Sequence, residues 1–287
     1  MKSRLVFVHA ISPLHAGTGQ GVGVMDLPVA REKATGLPYL PGSSLKGVLR
    51  DACEDKEMRT AVFGPDPASD VAHAGSAAFS DLRLLLLPVR SVLGTFAWVT
   101  SPYVLRRFLR DADSAGVTDV PSEVPDVVEG HCFVSDAGSV IAEASKVLLE
   151  DLNLVSETSG NARRWAEWMG RQVFPDDSVW QTMLVQRLCI VSDDVLSFLL
   201  DTATEVFSRI RLQEDTKTVA KGGLWYEEAL PAETVLSGIV AASPVKAAPE
   251  QVFATLGRLV QKPLQLGGKA TVGRGLCRVT LGGGDQQ

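Results

Sequence analysis

HAGTGQGVGVMDLPVAREKATGLPYLPGSSLKGVLR, residues His15 to Arg50, is the stretch from which the rest of the chain is read. Glycines alternate at Gly17, Gly19, Gly21 and Gly23, a density that no strand or helix interior tolerates. The spacing predicts an open loop with one acid, Asp26, at its far end. A second turn, Pro38 to Gly42, then delivers Ser43 and Ser44 to a predicted helix start. Leu45, Val48, Leu49 and Ala52 follow at helical spacing, and Lys46 and Arg50 share another face. A serine N-cap, open N–H groups and two cations on the first turns make an expected anion site suited to phosphate.

Upstream, Arg4 to Ala10 is a short apolar run and reads as the first strand. Downstream, the Ser44 helix is expected to end before Phe63-Gly64-Pro65. Ala77–Val89 and Thr95–Val99 read as strands. Ser101-Pro102 supplies an N-cap and first-turn proline for a helix burying Leu105, Phe108 and Leu109. Ser114 to Gly138 reads as an acidic, loop-rich insertion, followed by helices near Ala162–Arg171 and, capped by Ser192, Asp193–Asp201. From Glu205 to Leu230 the pattern changes. VFSRIRL alternates, Gln213-Glu214-Asp215 turns, and TKTVAKGGLWYEEAL returns, which predicts a long hairpin or arm. A strand at Leu236–Ala242, a helix at Pro249–Val260 and a last strand at Gly275–Leu281 complete an α+β pattern.

Composition narrows the function classes. The 287 residues suffice for one large domain or two small ones, with 45% hydrophobic and 22% charged residues. No apolar run is long enough to span a membrane, and the first residues lack a signal-peptide layout. Cys53, Cys132, Cys189 and Cys277 are scattered without metal-ligand spacing, which suits a reducing cytoplasm. The net charge of −6 argues against indiscriminate nucleic-acid coating. Between Asp111 and Glu157 eleven acids face one base, and between Lys246 and Thr280 six bases face one acid. One flank is therefore solvated or partner-facing, and the other suits a polyanion.

Chemistry-bearing candidates are few. Asp26 can activate an attacking oxygen or hold a cation beside a phosphodiester, or it can simply cap the turn at Leu27-Pro28. His15 can act near neutral pH, or it can position backbone or RNA. Glu227 and Glu228 are strand neighbours facing opposite ways, so at most one points into a given site, and Glu227 is the one expected there. Gly267–Gly275 (GGKATVGRG), with Lys269 and Arg274, can cradle phosphate or serve as plain turns. It is not a Walker loop, because Ala270 follows Lys269, and Gly17–Gly23 does not match GxGxxG. Trp225 and Tyr226 can stack on splayed bases or pack in a core. Trp165, Trp168 and Trp180 read as core or subunit contacts.

His15-Ala16-Gly17, Asp26-Leu27-Pro28, Arg31-Glu32, Thr35-Gly36 and Pro41 to Gly47 form one set of motifs. Thr216 to Val219, Leu224 to Glu228 and Leu266 to Gly275 form another, in the same order along the chain. Together they resemble the backbone subunit of type III-B CRISPR RNA-guided effector complexes, a member of the RAMP superfamily. The resemblance implies a ferredoxin-like, RRM-like palm drawn from residues 1–12, 40–110, 185–204 and 232–287. It also implies an acidic, helical insertion at about 111–184 and a thumb-like hairpin at about 205–231. It implies a cytoplasmic endoribonuclease that polymerises along CRISPR RNA beside other effector subunits and cuts complementary single-stranded target RNA. By the same resemblance Asp26 would cut with a divalent metal, expected to be magnesium; His15 and Glu227 join it as catalytic candidates from the reading of the residues above. RNA contacts would come from Ser43, Ser44, Lys46, Arg50, Lys217, Trp225, Gly267, Gly268, Lys269, Thr271, Gly273 and Arg274. A non-catalytic RNA-binding backbone, the equivalent type III-A subunit and a guide-processing endonuclease are the alternatives. The lack of a second histidine near His15, together with the Asp26-Leu27-Pro28 segment, counts against the last.

Overall fold

A computed structural model of the chain describes residues 1–17, 25–66 and 73–283. The first strand, β1 (Lys2–Ala10), is buried on both faces over most of its length, which makes it an interior strand. Phe7 meets Phe108 and Trp168 on one side at ring separations of 6.0 and 6.3 Å. On the other side Arg4 lies over Phe253 at 4.7 Å. Next come β2 (Tyr39–Leu40), α1 (Gly42–Ala52), α2 (Lys56–Phe63), β3 (Ala77–Phe79) and β4 (Leu82–Arg90). The one helix expected after Ser44 is thus two, because Asp55 starts a new one by accepting from the Glu57 and Met58 N–H groups. The one strand expected at Ala77–Val89 is also two, interrupted at Ser80-Asp81.

The chain continues through β5 (Phe96–Thr100), α3 (Pro102–Ser114), β6 (His131–Ser135), β7 (Ala142–Glu143), β8 (Lys146–Leu149) and β9 (Leu152–Ser159). Then follow α4 (Gly160–Val173), α5 (Ser178–Arg187), β10 (Leu188–Val191) and α6 (Asp193–Thr202). Ser101 and Ser192 cap α3 and α6 through their side chains, as their positions predict. The segment read as acidic and helical holds β6 to β9 as well as α4 and α5, so it widens the sheet. Trp165 and Trp168 are fully buried in α4.

The last third holds β11 (Glu205–Leu212), β12 (Val219–Ala229), β13 (Val235–Ala242), α7 (Pro249–Leu259), β14 (Leu264–Gln265) and β15 (Leu276–Gly282). One sheet runs β14-β15-β1-β13-β4-β5-β10-β6-β9-β8-β7, and β11 with β12 forms a separate ribbon. Within it β15-β1-β13-β4 are mutually antiparallel, with α1 between β1 and β4 and α7 between β13 and β15. That is the split βαβ of a ferredoxin-like fold. Everything from residue 91 to residue 234 is inserted into the one hairpin that links β4 to β13. Both faces of the palm sheet are covered, by α1 and α7 on one side and by α3 and α4 on the other. The open sheet face on which RRM aromatics stack bases is therefore closed here.

Candidate RNA-cleavage site

Immediately after β1 the chain runs beside two distant segments. Leu14 exchanges backbone hydrogen bonds with Leu230 at 2.8 and 2.9 Å, and His15 O accepts from Gly268 N at 2.9 Å. Leu27 bonds to β12 on both sides, its N–H to Tyr226 O at 3.1 Å and its C=O from Glu228 N–H at 2.9 Å. Residues 18–24, with Gly19, Gly21 and Gly23, lie outside the described residues. Asp26 stands at the edge of this junction. It is exposed, and its carboxylate accepts from the Tyr226 backbone N–H at 2.8 Å.

Glu227 and Glu228 face opposite ways, and both are buried. Glu228 accepts from Arg31 at 2.7 Å and from the Val29 N–H at 2.9 Å, and its carbonyl oxygen lies 2.6 Å from His15 Nδ1. Glu227 Oε1 meets Lys269 Nζ and Trp225 Nε1, each at 2.8 Å. Its Oε2 meets Arg209 Nε at 3.3 Å and lies 3.1 Å from Arg274 Nη1, the latter an ion pair without hydrogen-bond geometry. Burial pushes the Glu227 carboxyl up, but the Lys269 and Trp225 hydrogen bonds and the Lys269 charge overcome it and bring it to about 2. Glu227 is therefore a junction between the ribbon and the glycine loop. It is not a ligand standing beside Asp26, because both of its oxygens are engaged.

Of the two roles open to His15, its contacts match the positioning one and not the catalytic one. It is 6% exposed, with one ring nitrogen on the Glu228 carbonyl, so it braces the junction and does not face solvent beside Asp26. The glycine loop packs directly on it: a Cβ at Gly267 would lie 2.4 Å from His15 O, at a φ of +71°. Lys269 and Gly273 also adopt positive φ, bracketing a short 3-10 turn that exposes Thr271. Arg274 is 3% exposed and stacks over Phe207 at 3.9 Å, so it is an internal cation and not a surface RNA contact. Trp225 is half-buried, with its indole N–H committed to Glu227. Lys217 sits exposed at the tip of the β11–β12 turn.

At α1 the expected serine cap is absent. Pro41 holds the cap position, Ser44 N–H bonds back to Pro41 O at 2.9 Å, and Gly42 N–H donates to Asp81 at 2.9 Å. Gly42 is required there, since a Cβ would lie 2.4 Å from Ser80 O. The chain thus supplies its own carboxylate to this helix end. Arg50 ties α1 to the end of α2 through Gly64 O at 2.5 Å and Asp66 at 2.6 Å, and does not face a ligand. Ser43 and Lys46 remain on an open groove of about 920 Å³, whose wall includes Phe63, His73 and Phe79.

The ribbon has two unlike faces. Phe207, Arg209, Trp225 and Glu227 look toward the glycine loop, while Val206, Ile210, Leu224 and Tyr226 lie exposed on the other. Arg31, Asp81, Arg209 and Glu228 are site residues that sequence reading left without roles. For Arg209 a signal existed: hairpin alternation sets it opposite Trp225.

The sequence model described as RAMPs, RAMP superfamily, matches residues 7–278. The chain belongs to the RAMP superfamily. Among RAMP relatives, it is 35% identical over 98% of its length to the CRISPR system Cmr endoribonuclease Cmr4 of Pyrococcus furiosus, covering 96% of that protein. A crystal structure of oligomeric Cmr4 from the same organism superposes with a TM-score of 0.77 at 30% identity, covering 98% of both chains. The fold is shared as well by a chain of the type III-B Cmr-beta complex bound to cognate target RNA, with a TM-score of 0.76 at 21% identity over 98% of this chain and 97% of that one. Among the described residues this RAMP chain holds no group of three histidine, cysteine, aspartate or glutamate side chains placed to bind a metal. Among the described residues no helix is long and apolar enough to cross a membrane.

Proposed function

We propose that this chain is the repeating backbone subunit of a type III-B CRISPR effector, laid head-to-tail along CRISPR RNA in the cytoplasm beside other subunits, and that it cuts complementary target RNA at Asp26. The observation that carries this reading is an exposed carboxylate fixed at the root of a protruding ribbon, next to a cationic glycine loop. Cutting a phosphodiester requires a group that takes a proton from the attacking oxygen or holds a cation against the phosphate. Asp26 is the carboxylate placed to meet an RNA passing this junction, because His15, Glu227 and Glu228 are spent on holding it together.

The donor set suits a hard divalent cation such as magnesium, which is commonly held by one or two carboxylates, waters and substrate phosphates. Asp26 would be its protein ligand, and the cation would supply charge neutralisation at the phosphate. The guide would run past Ser43 and Lys46 and the loop at Gly268–Gly273. The exposed apolar face of the ribbon, Val206, Ile210 and Leu224, is the part that the next copy would cover. A repeated, non-closing contact of that kind produces a filament, and with it cuts at the subunit repeat. The relative crystallised as an oligomer supports such self-association.

The lone carboxylate favours a second reading, a backbone that binds RNA without cutting it. Reconstituted complex incubated with labelled complementary RNA, with and without magnesium, separates the two. A regular product ladder that needs magnesium supports the nuclease, and intact RNA supports the passive backbone.

A further inference from the structure

Three cations surround Glu227: Arg209, Lys269 and Arg274. With Glu205, whose charge also acts on Arg274, two carboxylates face three cations and leave an excess of one positive charge at the ribbon root. The three are not equivalent. Arg274 is buried over Phe207 and serves as a brace. Lys269 gives Glu227 one of its three N–H donors and offers a point charge, not a planar fork. Arg209 gives Glu227 only its Nε, and its side chain is 34% exposed. Among the described residues its two terminal nitrogens make no hydrogen bond, so a planar fork of donors stays open.

Placement relates that fork to Asp26. Tyr226 and Glu228 turn their backbone groups to the Leu27 segment, whereas Glu227 pairs with Phe207 of β11. The Leu27 segment, β12 and β11 are therefore three successive rungs. Asp26 and Arg209 start from the outer two, about 10 Å apart at two strand spacings. A carboxylate that activates an attacking oxygen adds negative charge to a centre that is already gaining it, so the reaction needs positive charge aimed there. A guanidinium offers two parallel donors to phosphate oxygens.

We infer that Arg209 contacts the phosphate on which Asp26 acts, and that Glu227 is the positioning residue that aims it. The inference rests on the nuclease reading above. Burial lowers the Arg274 pKa, the Glu227 charge opposes that, and the Arg209 charge lowers it again against Glu205, so the two guanidinium groups sit close enough to repel.

The test uses reconstituted complex with guide and labelled complementary RNA, comparing wild type, Asp26→Asn, Arg209→Gln and Arg209→Lys. Single-turnover cleavage at saturating target, target affinity and proteolysis of the ribbon are each measured. Arg209→Gln is expected to slow cleavage about 10²-fold with target affinity and ribbon protection unchanged. Arg209→Lys is expected to recover part of the rate, because it restores charge without the fork. Wild-type cleavage by Arg209→Gln overturns the inference and leaves the nuclease reading standing. So does a loss of cleavage matched by lost target binding or by a cleaved ribbon, which makes Arg209 a structural brace. A wild-type complex that cuts nothing removes the nuclease reading, and this inference with it.

Discussion

The Asp26 carboxylate accepts a hydrogen bond from the Tyr226 backbone N–H at 2.8 Å, joining residues 200 positions apart. The bond makes the position of the exposed acid follow the root of the ribbon. Asp26→Asn keeps an oxygen that can accept the same N–H while removing the charge. Assembly, guide binding and target binding are expected to stay at wild-type levels, and cleavage to fall by at least about 10²-fold. Gel analysis of labelled target decides it: a variant that cuts at the wild-type rate removes Asp26 from the chemistry.

Glu227 carries a pH prediction. Its carboxyl is held at about 2, below its ordinary 4.5, so its contribution is complete above about pH 4.5 and is lost as pH falls through about 2. In that window the ribbon root should loosen from the glycine loop. Hydrogen exchange of residues 219–229 reports the loosening. Glu227→Gln leaves three cations without their acid and should cost about 2 kcal/mol already at neutral pH. It should also flatten this part of the acid response, and an unchanged acid limb in the variant would assign the response to other carboxylates.

How far this arrangement was legible in sequence depended on how local its cause was. The Ser101 and Ser192 caps and the alternation of β11 are written within a few residues and stand as read. The strands β6 to β9 were missed because two are very short and β9, LNLVSETS, carries little apolar pattern. The cap of α1 was misread because Asp81, which meets its first N–H, lies 39 residues away. Glu227 was read as a catalytic group beside Asp26 because its four partners come from three separate places, Arg209, Trp225 and the loop holding Lys269 and Arg274. Asp26 stood out because nothing local satisfied it.

Lys46 is the remaining candidate for a phosphate contact at α1, since Arg50 and the helix end are engaged elsewhere. It lines the groove beside α1 and has no ion pair among the described residues. Lys46→Ala should weaken guide binding about equally for all guide sequences, since phosphate contacts position RNA without reading bases. The log–log salt slope should become shallower by about 0.7, one phosphate on a single strand. Filter binding across a salt series measures it, and an unchanged slope returns Lys46 to the solvated surface.

The ribbon itself supplies the last test. Its outer part pairs Leu212 with Val219 across a register irregularity, beyond the rung that joins Ile210 to Leu224. The residues that build the junction, Arg209, Trp225, Glu227 and Glu228, all lie on the root side of that rung. Removing residues 211–223 and joining Ile210 to Leu224 through a two-residue turn should therefore spare the junction and Asp26. The exposed apolar residues Leu212 and Val219 and the tip at Lys217 would be lost. Such a subunit should remain folded and monodisperse, because no palm core residue is touched. If the outer ribbon sets where the guide–target duplex is interrupted, the assembled complex should still cut, with its evenly spaced products blurred into irregular ones. A ladder as sharp and regular as that of the wild type would place the register in the palm and not in the ribbon.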